Sequence, residues 1–186
     1  MIEDVWTPFP VEKIGIVSDS HGQADATTRA VEAMLEDGAE LILHLGDVGG
    51  EAVIDRLVGL PARILLGNVD DPRLADYARS LDLVVDDPVF CGLIGGRRVS
   101  AIHGHREDVL SHLLTLSPEI VLHGHTHQWR DERLAEIRFV NPGAVHRTSR
   151  PSVALLTPRT GRIDRLELAT DGTVRRIPFP PDGEPR

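Results

Sequence analysis

An α/β fold with a parallel core is the architecture this chain predicts, on three observations. Short apolar runs of strand length alternate with segments whose apolar residues recur at helical spacing, and the connections between them are short. The 186 residues are enough for one domain with a substantial core. Residues that bind cations recur immediately after the apolar runs, where open α/β sheets place their ligands.

The elements follow in order from local pattern. Residues 1–11 read as an irregular lead-in with two prolines. Residues 13–18, Lys-Ile-Gly-Ile-Val-Ser, are a buried-strand run. Residues 24–37 carry Ala30, Val31, Met34 and Leu35 at helical spacing, and Gly38 stops the helix. A second apolar strand covers 41–45, a short helix covers 51–58, and a third strand covers 62–66. After Asp71-Pro72 a short helix runs to about Ala78. Residues 84–94 and 97–102 pair as strands around Gly95-Gly96, a hairpin turn signal. The leucines of 108–116 mark a helix ended by Pro118, and 119–122 is a further strand. From Trp129 the pattern changes to short strands at 129–140, 152–157, 162–168 and 173–177, separated by polar turns such as Asn141-Pro142-Gly143 and Thr160-Gly161. Residues 1–177 are thus expected to form a single domain, with 178–186 a proline-rich disordered tail.

Twenty basic residues against 29 acidic ones leave a net charge of −9, which argues against stable nucleic-acid or anionic-membrane binding. Chemistry on phosphate would need positive charge from another source, and bound metals supply it. The single cysteine, Cys91, permits neither an intramolecular disulfide nor a thiolate cluster and reads as a small apolar strand residue. No basic-then-apolar leader and no 18-residue apolar run is visible, so a cytoplasmic location and no membrane contact are expected.

Five motifs carry the chemistry: Asp19-Ser20-His21, Gly46-Asp47, Gly67-Asn68-Val69-Asp70, His103-Gly104-His105 and Gly124-His125-Thr126-His127. Each alone is commonplace, as a turn or a helix cap. Together they follow five strand ends in order and offer seven ligands of nitrogen and oxygen type: Asp19, His21, Asp47, Asn68, His103, His125 and His127. That is enough for two divalent cations sharing one bridging carboxylate, an arrangement suited to in-line attack on phosphorus. In extended backbone Asp19 and His21 would point the same way. Asp70 is placed to orient a ligand histidine by hydrogen bond or to start the next helix. His44 and His123 read as neutral core or strand histidines bonded to a neighbour. Phe90, Leu93 and Ile94 read as a core face or as a contact in a homo-oligomer.

This set resembles the calcineurin-like metallophosphoesterase superfamily. Gly67-Asn68-Val69-Asp70, the short length and Asn141-Pro142-Gly143-Ala144-Val145 resemble its small bacterial and archaeal phosphodiesterase branch. The resemblance spans about residues 13–157. It implies a four-layer αββα sandwich, two mixed β-sheets flanked by helices. It also implies that one metal takes Asp19, His21, Asp47 and His127, that the other takes Asp47, Asn68, His103 and His125, and that His105 is the catalytic residue beside the substrate phosphate. Where larger members carry a leaving-group histidine this chain has Val69, which donates no proton. The expected activity is hydrolysis of a small phosphoester, foremost a diester, by a hydroxide bridging two metals. Manganese is the first expectation, with iron, nickel or zinc as alternatives, and calcium suits the imidazoles least. The rival from another class is a non-catalytic metal-binding scaffold of the same fold, and a complete ligand set argues against it.

Overall fold

The computed structural model describes residues 5–177, so the expected tail at 178–186 lies outside the described residues. In chain order the elements are β1 (Thr7–Phe9), β2 (Ile14–Val17), α1 (Ala24–Glu36), β3 (Leu41–His44), α2 (Glu51–Asp55), β4 (Ala62–Ile64), α3 (Arg73–Ser80), β5 (Val84–Val85), β6 (Phe90–Ile94) and β7 (Arg97–Ile102). There follow α4 (Glu107–Thr115), β8 (Ile120–His123), β9 (Trp129–Leu134), β10 (Ile137–Pro142), β11 (Ser152–Thr157), β12 (Arg162–Leu168) and β13 (Val174–Ile177). No helix among these residues is long and apolar enough to cross a membrane.

Among the described residues thirteen strands make two mixed sheets, ordered β13-β12-β11-β2-β3-β4-β5 and β1-β6-β7-β8-β10-β9. In the first, β2, β3, β4 and β5 run parallel, the predicted core, while β11, β12 and β13 extend it antiparallel.

Side-chain alternation sets the layers. Ile14 and Ile16 of β2 and Leu41 and Leu43 of β3 face the second sheet, where they meet Phe90, Ile94, Val99, Ala101, Ile120 and Leu122. The intervening Val17 and Ile42 face the other way, onto Val31 and Met34 of α1 and Val53 and Ile54 of α2. Gly15 belongs to that face, and a Cβ there would approach Ile42 Cδ1 to 2.6 Å and Met34 Sδ to 2.9 Å, so glycine lets α1 settle onto the sheet. On the far side, Ile102, Val121 and Phe139 pack under Leu113 of α4. Helices, sheet, sheet, helix is the four-layer order that the resemblance implied.

Three local expectations are corrected. The lead-in contains a strand, β1, parallel to β6, with the Phe9 ring 5.2 Å from that of Phe90. The single strand expected at 84–94 is two: β5 ends the first sheet beside β4, and after Asp87-Pro88 the chain enters the second sheet as β6. Proline there removes a ladder donor and breaks the run. The strand expected at 129–140 is a hairpin of β9 and β10, turned at Ala135 with φ +50°. The Gly95-Gly96 turn between β6 and β7 is as predicted, with φ of +56° and +78°. Of the face left open between core and oligomer contact, Phe90 and Ile94 are core, while Leu93 on the alternate side is 36% exposed.

His44 is a core histidine and His123 a half-buried one at the end of β8, each bonded to a neighbour as expected. His44, wholly buried, accepts from Gly46 N through Nδ1 at 3.2 Å, so its Nε2–H donates to Ser20 Oγ at 2.8 Å. Burial holds its imidazole at a pKa of about 4, and burial does the same to His123.

Two predictions follow from this packing. Phe90→Ala removes a ring from between the sheets and is expected to cost about 3–5 kcal/mol in unfolding by urea. His44 and His123 take no proton in the folded chain until pH nears about 4, whereas unfolded imidazoles do so below 6.5. Stability is therefore expected to fall as pH drops through that window and to gain nothing from these groups above it. Urea midpoints in chelator at pH 7.5 and 5.0 read the effect, and His44→Gln should shrink the difference.

Candidate metal centre

All five motifs meet at one pole of the molecule, in the connections that follow β2, β3, β4, β7 and β8. The first sheet supplies Asp19, His21, Asp47 and Asn68, and the second supplies His103, His105, His125 and His127. One atom from each of Asp19, His21, Asp47 and His127 lies within 4.8 Å of all the others. His127 Nε2 is 3.2 Å from Asp19 Oδ1 and 3.1 Å from His21 Nε2. Asp47 faces both ways, with Oδ2 3.7 Å from His21 Nε2 and Oδ1 3.4 Å from His103 Nε2. Asn68 Oδ1 lies 3.2 Å from that same His103 nitrogen. The His125 ring stands edge-on to His103 at 5.3 Å between centroids, and the exposed His105 ring is also 5.3 Å from His103.

The polarity of these contacts shows what the cluster is fitted to hold. His103 Nδ1–H donates to the Leu45 carbonyl at 2.8 Å, and His127 Nδ1–H donates to the Arg147 carbonyl at 3.2 Å. With Nδ1–H so engaged, the Nε2 of each ring is the atom turned toward carboxylate and amide oxygens, or toward another imidazole nitrogen, and in the neutral tautomer it bears a lone pair. Acceptors facing acceptors repel unless positive charge lies between them. Asp19 and Asp47 are 0% and 3% exposed, and among the described residues neither is paired with lysine or arginine. Asp19 Oδ1 is buried with no hydrogen-bond donor. Buried carboxylates of this kind require a cationic partner. The donor set fits divalent cations.

Electrostatics run the same way. Burial pushes the Asp19 carboxyl above the usual range, against the pull of His103 and His127. Burial also lowers His21, and it lowers His105, helped there by the neighbouring His103 and His125. A lowered imidazole favours its neutral form, in which one ring nitrogen keeps its proton and the other offers a lone pair.

The backbone route to convergence differs from the extended one expected for Asp19 and His21. Both lie in the left-handed region, with φ +55° and +45°, as do Asp47 at +52°, His125 at +66° and His127 at +58°. The chain leaves each strand in a tight turn, and neighbouring turns zip together: Asp19 N donates to Gly46 O at 3.0 Å and His21 N to Asp47 O at 2.9 Å. Non-glycine residues in this region cost of order 1–3 kcal/mol each, and such strain clusters at functional sites. Gly67 is required by close approach, since a Cβ there would fall on Asp47 Oδ1.

Asp70 is not bonded to a histidine. Its carboxylate accepts backbone N–H from Val48 at 3.0 Å, Gly49 at 2.8 Å and Gly67 at 2.8 Å, tying the Asp47 turn to the Asn68 turn. The reason is position: Asp70 closes a turn over Gly67, whose amide it reaches before any ring. The histidine-orienting groups are instead the Leu45 and Arg147 carbonyls, which no side-chain pattern reveals. Asn141 is a further residue, read from the sequence as part of a turn and of a segment that resembles the family, without a role at the site. Fully buried, it donates to Gly124 O at 2.8 Å and Thr126 Oγ1 at 3.1 Å, fixing the loop that bears His125 and His127. An amide between two apolar strands and before Pro142 was the available signal.

Similarity to known proteins bears on this geometry. The chain is 28% identical over 153 residues to phosphodiesterase MJ0936 of Methanocaldococcus jannaschii, covering 77% of this chain and 92% of that one. A solved archaeal phosphodiesterase superposes with a TM-score of 0.74 at 24% identity, covering 84% and 99% of the two chains. Vps29 of Entamoeba histolytica, solved in complex with Zn²⁺, shares the fold with a TM-score of 0.64 at 19% identity, covering 89% and 97%. The model of the calcineurin-like phosphoesterase superfamily domain matches residues 13–161, and the chain belongs to that superfamily of metal-dependent hydrolases.

Proposed function

We propose that this chain is a phosphodiesterase whose two divalent cations are held by Asp19, His21, Asp47 and His127 on one side and by Asp47, Asn68, His103 and His125 on the other. The observation that carries the reading is the two-way Asp47 carboxylate, Oδ2 toward His21 and Oδ1 toward His103, in a pocket of imidazole lone pairs. When bound, such cations supply an acidified water and a positive field for in-line attack on phosphorus.

The chain's own groups have distinct tasks. The Val69 amide donates to Asp47 Oδ1 at 3.1 Å and holds that carboxylate between His21 and His103, where it could serve both cations. His105, exposed and next to His103, is the group free to hold a phosphoryl oxygen or pass a proton to the leaving oxygen. The Val69 side chain is 51% exposed on the same rim and has no proton to give. A diester is favoured by the activity named for the archaeal relatives. Nitrogen and oxygen donors without thiolate favour manganese, iron, nickel or zinc, with manganese first. Residues 1–177 serve this one site as a single domain, acting in the cytoplasm on a small substrate.

The rival reading is a non-catalytic metal-binding scaffold of the same fold; the likeness to Vps29 is one of fold and supports neither reading over the other. A panel of monoesters, diesters and cyclic nucleotides, with each metal returned to chelated protein, separates the two. Turnover of a chromogenic diester with manganese is expected, and its absence with every metal would favour the scaffold. Asp47→Ala should lower turnover more than about 100-fold and loosen both metals; near-normal turnover in a metal-verified sample would refute bridging. His105→Ala should keep both metal equivalents while turnover drops about 100-fold. Loss of one equivalent would instead make His105 a ligand.

A further inference from the structure

A pocket of about 160 Å³ opens at the His103 end of the site. His103 and His105 form the wall nearest the metal-ligand turns. Away from them five apolar side chains, Leu66, Pro72, Pro88, Ile102 and Val109, share the lining with Asp70, Asp87 and Arg106. Pro72 precedes α3, Pro88 follows β5 and Val109 lies in the first turn of α4, whereas Leu66 and Ile102 directly precede the turns that bear Asn68 and His103. The volume is close to that of cavities that take one benzene-sized ring, about 150 Å³.

The charges around the pocket are arranged against anions. Asp70 and Asp87 both border it. The Asp70 carboxylate is engaged by three backbone amides, whereas Asp87 is exposed at the mouth. Arg106, the cation on the rim, is committed to Asp108 at 2.7 and 3.3 Å. A phosphate entering here would meet a carboxylate and find that guanidinium already paired, whereas an uncharged ring would meet apolar walls.

We infer that this pocket receives the alcohol portion of the ester and selects a single uncharged ring over a group bearing a second phosphate. The inference rests on the phosphodiesterase reading above and narrows its substrate class. It also gives His105 a position between the phosphoryl group and the ring, on the side of the leaving oxygen.

The test uses manganese-loaded full-length protein, with phenylphosphonate and methylphosphonate as probes, read both by calorimetric binding and by inhibition of diester hydrolysis. Phenylphosphonate is expected to bind about tenfold tighter, from partial burial of its ring. Val109→Trp fills the pocket and should reduce that advantage below about twofold, leaving methylphosphonate affinity and metal stoichiometry unchanged. Asp87→Lys lies at an exposed position and carries the test should the tryptophan variant misfold. It should tighten 1,4-phenylenediphosphonate about tenfold while sparing phenylphosphonate. Equal affinity of the two simple probes for the wild-type protein, or an undiminished ring preference in a folded Val109→Trp variant, would overturn the subsite. Ring preference in a protein that hydrolyses no phosphoester would uphold the subsite and sink the reaction. Hydrolysis without ring preference would do the reverse.

Discussion

Two buried carboxylates with, among the described residues, no lysine or arginine paired to them are the constraint around which this molecule is arranged. Asp19 and Asp47 are almost completely removed from water, yet their neighbours are imidazole nitrogens whose protons point away, into backbone carbonyls. Such an arrangement is tolerable only where external positive charge is to be received. Much of the rest can be understood as holding it in place: Asp70 across three amides, Asn141 across the histidine loop, and the interlocked turns after β2 and β3. The five left-handed turn residues are the conformational cost, of a size that packing of three separate apolar clusters can absorb.

The layered sandwich explains why ligands so far apart in sequence meet. Parallel strands β2, β3 and β4 bring their carboxyl ends to one edge of the first sheet, and β7 and β8 do so in the second. Face-to-face packing through Ile14, Ile16, Leu43, Val99 and Leu122 sets the two edges side by side. The protein's excess of acidic residues, net −9, therefore coexists with anion chemistry because the positive charge would be carried by the bound cations and not by the chain.

Legibility in the sequence followed physical range. Strands with continuous apolar runs, such as those over Ile14–Val17 and Leu41–His44, and the helix with Val31 and Met34 on one face, were readable because burial on both sides or on one stripe leaves a local pattern. The residues of the candidate site were readable as a set because strand ends recur with ligand types. Unreadable features depended on partners distant in the chain. β1 exists because β6 offers an edge to Thr7–Phe9, and β5 parts from β6 because each finds a different sheet. The turn at Ala135 has neither glycine nor proline to announce it. The left-handed turns at Asp19 and His21 are set by hydrogen bonds to the Asp47 turn, which no i, i+2 argument contains. Asp70 likewise reaches the Val48 and Gly49 amides 22 and 21 residues away.

Because the oxygen donors all come from one sheet and most of the imidazoles from the other, a cation seated here would act as a rivet between the two halves of the sandwich. Its binding energy would then be mechanical as well as chemical. Sliding or parting of the sheets at this pole would have to strip its ligands, so resistance to unfolding would track metal availability by mass action. A starved cell would hold a protein that is not merely idle but looser at one end, and more open to proteolysis there.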